Sequence, residues 1–396
     1  MKHVLIIELS FSGHHPVYLE QIAAGYLNAN HIVTIAVLKE FRRHPVITRL
    51  EEKFQGKIRI KSIGNARYHH YMEALLGDLG AELAKWYLFK QEYLEASSAQ
   101  EVDYIFLPYL DYILYAVGLL GSPFHGTPWG GICMLASVHY DSHTMDLKNI
   151  KMRALKKYSF FRLLKNKYLG KFFVIDELLY KFAIKHQPES IRCLRYLMDP
   201  AEFNGSCTRD IARQELRIPE NAIVILIYGT INSRKGVSML MDALVLHELP
   251  KNIHLLIVGE INKSAQEVFL SKSVAQLVNE NRIYIFNSFV DENLQQKVFA
   301  ATDVVWLGYK DHYGMSGVLV MAAQARKVIL SCNVGLIGWY TNLYNLGLSI
   351  DTEKMSEVKI ALLELSDPVK IATYQNKIGD YFDDFTWPNA VEHILN

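Results

Sequence analysis

The 396-residue sequence lacks the features that define several whole classes of protein. It has four cysteines, Cys133, Cys193, Cys207 and Cys332, scattered along the chain without a C-x-x-C pair or a histidine at zinc spacing. That excludes a disulfide framework and a cysteine-based structural metal, and it fits a reducing compartment. No uncharged apolar run approaches the roughly 18 residues of a membrane span. Met1-Lys2-His3, followed by an apolar run ending at Glu8, is too short and wrongly flanked for a signal peptide, so the expected location is cytoplasmic. Charge of one sign is also missing. Lys plus Arg is 42 and Asp plus Glu is 41, a net +1, which provides no whole-molecule field to gather nucleic acid. No G-x-G-x-x-G follows the first apolar run, which argues against a dinucleotide-dependent dehydrogenase. There is no fixed-period repeat and no low-complexity tract. With 50% hydrophobic and 21% charged residues, the chain is expected to fold throughout.

What is present is alternation. His3 to Leu9 and His31 to Leu38 read as strands around a helical Val17 to Leu27, a βαβ unit. Further strands are expected at Lys57 to Ile63, Val102 to Pro108, Gly131 to Ala136 and Gly170 to Ile175, with a helix over Tyr71 to Ala96. Cys193 to Gly205, carrying Pro200, reads as a linker. The alternation then restarts at Ala222 to Ile231, Ile253 to Glu260, Arg282 to Val290, Asp303 to Tyr309 and Lys327 to Cys332. Near-continuous apolar strands separated by helices mean parallel sheets covered on both faces. The expected fold class is α/β, two Rossmann-like doubly wound domains facing across a cleft, residues 1–200 and 201–378, with a C-terminal helix in 379–396 packing back on the first.

Two segments concentrate chemistry. In IYGTINSRKGVSMLMDAL, from Ile227, a strand ends at Gly229, a polar turn carries Arg234 and Lys235, and Gly236 opens an amphipathic helix. Two cations and free helix-start N–H groups at a strand end are what a phosphate site needs. In WLGYKDHYGMSGVLVMAAQARKVILSC, from Trp306, the small residues of Tyr313-Gly314-Met315-Ser316-Gly317 let a ligand approach backbone N–H groups. In this order, and continuing through Asn333-Val334-Gly335-Leu336-Ile337-Gly338, Leu346-Gly347-Leu348 and Ala212 to Pro219, the segments resemble retaining GT-B glycosyltransferases of family 4.

The resemblance implies a sugar transfer from a nucleotide-sugar such as a UDP- or GDP-sugar, held by the C-terminal domain, to a glycan or lipid-linked acceptor on the N-terminal domain. It implies no cofactor and no metal, and a setting in polysaccharide biosynthesis. Lys235, with Arg234 beside it, would stabilise charge on the departing nucleotide, the kind of fixed positive group worth ~10²–10³-fold in rate. Gly229, Thr230, Gly314, Met315, Ser316 and Gly317 would line the donor, and Gly13 of Ser10 to Pro16 would lie near its phosphates. His14 and His15 are acceptor-side candidates. His139, with Asp141 as its orienting neighbour, matches a histidine placed near the reacting sugar. The family pattern is eroded at two points. Its Gly-Arg is Gly229-Thr230 here, and its Glu-x7-Glu pair falls on His312, or Asp311 by a one-residue shift, and on Val320. Val320 cannot hydrogen-bond a ribose, which directs that role to Glu260 or to backbone groups. These departures leave open a glycan-binding relative that has lost catalysis, or another GT-B activity such as sugar-nucleotide epimerisation.

Net neutrality hides a polarity. Residues 1–200 carry 25 basic and 19 acidic side chains, and 201–396 carry 17 and 22. Residues 151–171 alone hold eight Lys or Arg and no acid, interleaved with aromatics, the pattern of an interfacial membrane segment. Two readings fit the segment: a solvated helix whose apolar face packs on the sheet, and, at ~1 kcal/mol per basic residue near an anionic surface, docking on a membrane. On the second, flotation with vesicles should recover the protein with anionic lipid and not with neutral lipid alone; equal recovery from both removes the membrane partner.

Overall fold

The computed structural model describes residues 1–64, 68–140, 150–201, 203 and 205–396. The chain divides into two units, Met1–Met198 with Pro388–Asn396, and Asp199–Trp387. The first is built on strands β1 (His3–Glu8), β2 (Ile32–Leu38), β3 (Ile58–Ile63), β4 (Tyr104–Leu107), β5 (Trp129–Cys133), β6 (Leu169–Val174) and β7 (Leu194–Tyr196). The second has β8 (Ile223–Tyr228), β9 (Ile253–Val258), β10 (Ile283–Phe286), β11 (Val304–Leu307), β12 (Val328–Cys332) and β13 (Gly347–Ile350). All pairings within each sheet are parallel, in the orders 3-2-1-4-5-6-7 and 10-9-8-11-12-13.

The central strands are buried end to end. Every residue of β1, β8 and β9 is inaccessible, as expected where helices cover both faces, whereas the edge strands β3, β10 and β13 are only partly covered. The orders also locate ligands. In each sheet the winding reverses once, between β1 and β4 and between β8 and β11, and the loops leaving these strands diverge to open a crevice at their carboxyl ends.

Two expectations are corrected. The segment read as a linker contains β7, which pairs with β6 at Phe172–Leu194. The strand expected at Gly131 to Ala136 instead starts at Trp129 and ends at Cys133, where Asp111 accepts the next two N–H groups, Met134 at 2.7 Å and Leu135 at 2.9 Å, and so turns the chain out of the sheet.

The basic segment forms the helix Ile150–Leu164, whose Phe160, Leu163 and Leu164 lie in the core of the first unit, while Tyr158 stays exposed. Its apolar side is therefore used for folding. Among the described residues no helix is long and apolar enough to cross a membrane. The helix Trp387–Leu395 closes the first unit: Lys171 donates to the carbonyls of Ile394 at 2.8 Å and Leu395 at 3.0 Å, satisfying groups that a helix end leaves open.

At the opposite end of the second sheet, a buried arginine ties the helix Arg209–Leu216 to it. Arg213 donates to the carbonyls of Ala301, Glu220 and Ala222 and to Asp303 Oδ2 at 2.7 Å, and the same oxygen accepts the Val224 N–H at 2.8 Å. Removing one partner leaves a buried charge uncompensated, typically a cost of ~3–5 kcal/mol. Arg213→Met should lower unfolding stability by that order and speed amide exchange in β8 and β11; unchanged exchange there would show the pair to be dispensable.

Candidate functional site

In the second unit the site grows out of the turn after β8. Gly229 adopts φ +85°, yet its N–H still donates to Val258, and Ile231 N–H to Glu260, so the chain leaves the sheet only after Ile231. Asn232 caps the turn Ser233–Lys235 by accepting the Arg234 N–H at 3.1 Å. Gly236 follows at φ +62°, and a β-carbon there would stand 2.2 Å from the Gly308 carbonyl, so only glycine meets both demands. Two further bonds join this turn to the loop after β11: the Trp306 indole donates to the Lys235 carbonyl at 2.8 Å, and Lys310 N–H donates to the Arg234 carbonyl at 2.7 Å. The Lys235 ammonium donates to the Tyr228 carbonyl and, at 3.2 Å, to the Tyr309 hydroxyl, and it lies 5.1 Å from the centre of the Tyr309 ring.

The loop after β11 completes the arrangement. His312 Nε2–H donates to the Met315 carbonyl at 3.1 Å, which leaves the Nδ1 lone pair facing an Arg234 N–H at 3.5 Å. Burial lowers the pKa of His312 from its ordinary value, and Arg234 and Lys235 add to this against the opposing Met315 hydrogen bond. A neutral, fixed-tautomer imidazole thus stands where the family pattern has a carboxylate. Asp311 adopts φ +50° and is exposed. Gly314 and Met315 lead to Ser316 and the helix Gly317–Gln324, whose first N–H groups face the loop rather than helical partners. Val320 is fully buried and reaches no ligand. Beside Thr230, a pocket of about 390 Å³ is lined by Glu260, Ile261, Asn262, Asn287 and Ser288 at the ends of β9 and β10.

In the first unit the crevice after β1 is organised by Glu8, which the sequence reading did not single out. Its Oε1 accepts from Leu9 N–H at 2.8 Å, Ser10 N–H at 3.0 Å, the Tyr112 hydroxyl at 2.6 Å and His15 Nδ1 at 3.1 Å. The available signal was an ionisable residue closing a fully apolar strand. His15 stacks on His14 with ring centres 4.7 Å apart and meets Tyr109 edge-on at 4.7 Å. Gly13, at φ +58°, has open space where a β-carbon would stand. Partial desolvation of the His14 ring, which keeps an exposed edge, helped by neighbouring His15, pushes its pKa down to about 4.

His139 lies elsewhere in this unit, buried, with Nε2 3.1 Å from Asp176 Oδ2 but without hydrogen-bond alignment. Asp176 also caps the helix Glu177–His186 through Leu179 N–H at 2.9 Å and accepts from the Tyr140 hydroxyl at 3.2 Å. It is the carboxylate partner of His139. Asp141, expected in that role, lies outside the described residues.

Both units therefore carry polar strand-end sites on doubly wound parallel sheets, and the comparisons agree with this architecture. Solved structures similar to the chain include Anabaena Alr3699/HepE in complex with UDP and glucose (17% identity, TM-score 0.65, covering 100% of this chain and 98% of that one). Others are sucrose-phosphate synthase from Thermosynechococcus elongatus (14%, 0.69, 100% and 97%) and WaaG, a glycosyltransferase involved in lipopolysaccharide biosynthesis (16%, 0.65, 99% and 98%). The fold is GT-B. No curated protein sequence matches the chain. Residues 208–379 match the family described as glycosyl transferases group 1.

The depressed pKa of His14 has a sign that can be measured. A histidine held neutral when folded contributes stability that is complete above its unfolded pKa of about 6.5 and is lost as pH falls toward 4. The thermal midpoint should fall across that window, and His14→Asn should flatten the fall. An unchanged slope in the variant would show that His14 is freely protonated in the folded protein.

Proposed function

We propose that the second unit binds a nucleotide-sugar donor, a UDP- or GDP-sugar, and that the sugar passes with retention to a glycan or lipid-linked acceptor held by the first. The observation that carries this reading is the Lys235 ammonium fixed between the Tyr228 carbonyl and the Tyr309 hydroxyl, at the switch point of the sheet and beside the start of the helix Gly317–Gln324. The structures of HepE in complex with UDP and glucose and with UDP-glucose support a uridine nucleotide for this chain by analogy.

Lys235, Arg234 and the helix-start N–H groups supply the positive field for charge building on the departing diphosphate, and because they are held by backbone bonds the field needs no reorganisation as the bond to the sugar breaks. The reading assigns this work to the chain's own cations and no metal or cofactor. The departing phosphate takes the acceptor hydroxyl's proton, so no carboxylate acid–base pair is required. Gly229, Thr230, Gly314, Met315 and Gly317 present backbone or small surfaces to the donor. His312, neutral, accepts from Arg234 and keeps that cation aimed at the loop, with Asp311 at its rim. Glu260 in the pocket beside Thr230 takes the ribose hydroxyls that Val320 cannot. On the acceptor side, Gly13, His14 and His15 line the crevice above Glu8, and His139 contributes through its Asp176 pair. The exposed Arg162, Lys165 and Lys167 of the basic segment 151–171, with Tyr158, serve an anionic membrane surface, the protein acting from the cytoplasmic side.

A thermal-shift screen of UDP, GDP, ADP and their sugars tests donor binding, since a ligand at 100 times its Kd stabilises by about 2.7 kcal/mol. Lys235→Ala is expected to cut turnover of the responding nucleotide-sugar ~10²-fold, measured as donor hydrolysis or transfer. Full turnover in that variant overturns the mechanism, and nucleotide binding without any turnover in the native chain favours a binding protein instead.

A further inference from the structure

We propose that Tyr309 is a positioning residue that relays the charge of Lys235 to the hydroxyl of Ser316 and so makes Ser316 a donor to the diphosphate; this rests on the donor-site reading above. The inventory of protons fixes the first bond of this chain. The Lys235 ammonium has only protons to give, so in its 3.2 Å bond the Tyr309 oxygen accepts. Either hydroxyl can donate in the 3.3 Å contact between Tyr309 and Ser316 Oγ, and the relay takes the direction in which the phenol gives its proton to Ser316. With its oxygen accepting from Tyr309, Ser316 has its own proton to donate onward. Each link strengthens the next, because a hydroxyl that accepts from a cation is a better donor.

The second observation concerns the helix that Ser316 precedes. A serine at this position ordinarily accepts one of the first N–H groups of the helix, and here its side chain makes no such cap. Engaged by Tyr309 instead, it leaves the N–H groups of Gly317 and Val318 to an anion. Tyr309 and Ser316 are themselves buried, at 7% and 8% exposure, so the relay is shielded from the water that would break it. Tyr309 thereby couples the cationic turn after β8 to the helix start after β11 and holds the two halves of one phosphate site at a set spacing.

Isothermal titration of UDP, GDP and ADP, each with its parent nucleoside, tests this. Tyr309→Phe keeps the ring under Lys235 and removes only the hydroxyl. It and Ser316→Ala should each weaken the diphosphate that binds by about tenfold, as for loss of a hydrogen bond to a charged group, while leaving nucleoside affinity unchanged. Combined, the two should cost little more than either alone, because they interrupt one relay. Equal weakening of nucleoside and diphosphate, additive losses, or full diphosphate affinity in Ser316→Ala would each overturn the relay; the serine variant alone decides if the tyrosine variant does not fold. Failure of the native chain to bind any of the three diphosphates overturns the donor-site reading itself, and the relay with it.

Discussion

The hydrogen bond from the Trp306 indole to the Lys235 carbonyl is the constraint on which the second unit's site depends. β8 and β11 are hydrogen-bonded neighbours, but the loops that leave them go to opposite faces of the sheet and would separate without a tie. The indole supplies it, Gly236 lets the backbones meet at Gly308, and Lys310 adds a second stitch through the Arg234 carbonyl. From the backbone so held, Arg234 reaches toward His312 and Lys235 toward the Tyr309 hydroxyl.

The charge of a region and the charge of its site run in opposite senses here. The first 200 residues have an excess of cations, yet the crevice after β1 is built around a buried carboxylate whose Oε2 has no hydrogen-bond partner among the described residues. The second half is acidic overall, yet its strand-end site is cationic. Surface charge sets what approaches a protein, whereas strand-end charge sets what stays. The two are selected by different physics, and the half-chain totals could not have revealed Glu8 or the Lys235–Tyr309 pair.

Much of the fold was legible because parallel strands buried on both faces write themselves as runs such as HVLIIE and IVILIY. β7 was not, since three residues including Arg195 and Tyr196 at a sheet edge carry no apolar run, and β13 is half exposed along its length. Lys235, Gly236 and the small residues near Ser316 were legible from local spacing. Their supports were not: Tyr309 lies 74 positions from Lys235, and only the pairing of β8 with β11 brings them together. The same applies to His139. Its sequence neighbour Asp141 was the natural partner to expect, but β5 runs beside β6, and the residue closing that neighbouring strand's turn, Asp176, is the one delivered to the imidazole.

The return of Pro388–Asn396 to the first unit makes the second unit an insertion within it. The helix Trp387–Leu395 crosses the helix His15–Asn28 so closely that a β-carbon on Gly25 would meet the Val391 side chain at 2.4 Å. That second helix starts at the crevice of Glu8 and His15. As the chain emerges from the ribosome, the second unit is therefore complete in sequence while the first still lacks its closing helix. The helix that leads away from the crevice after β1 is thus supported in part by residues that follow the second unit in the chain.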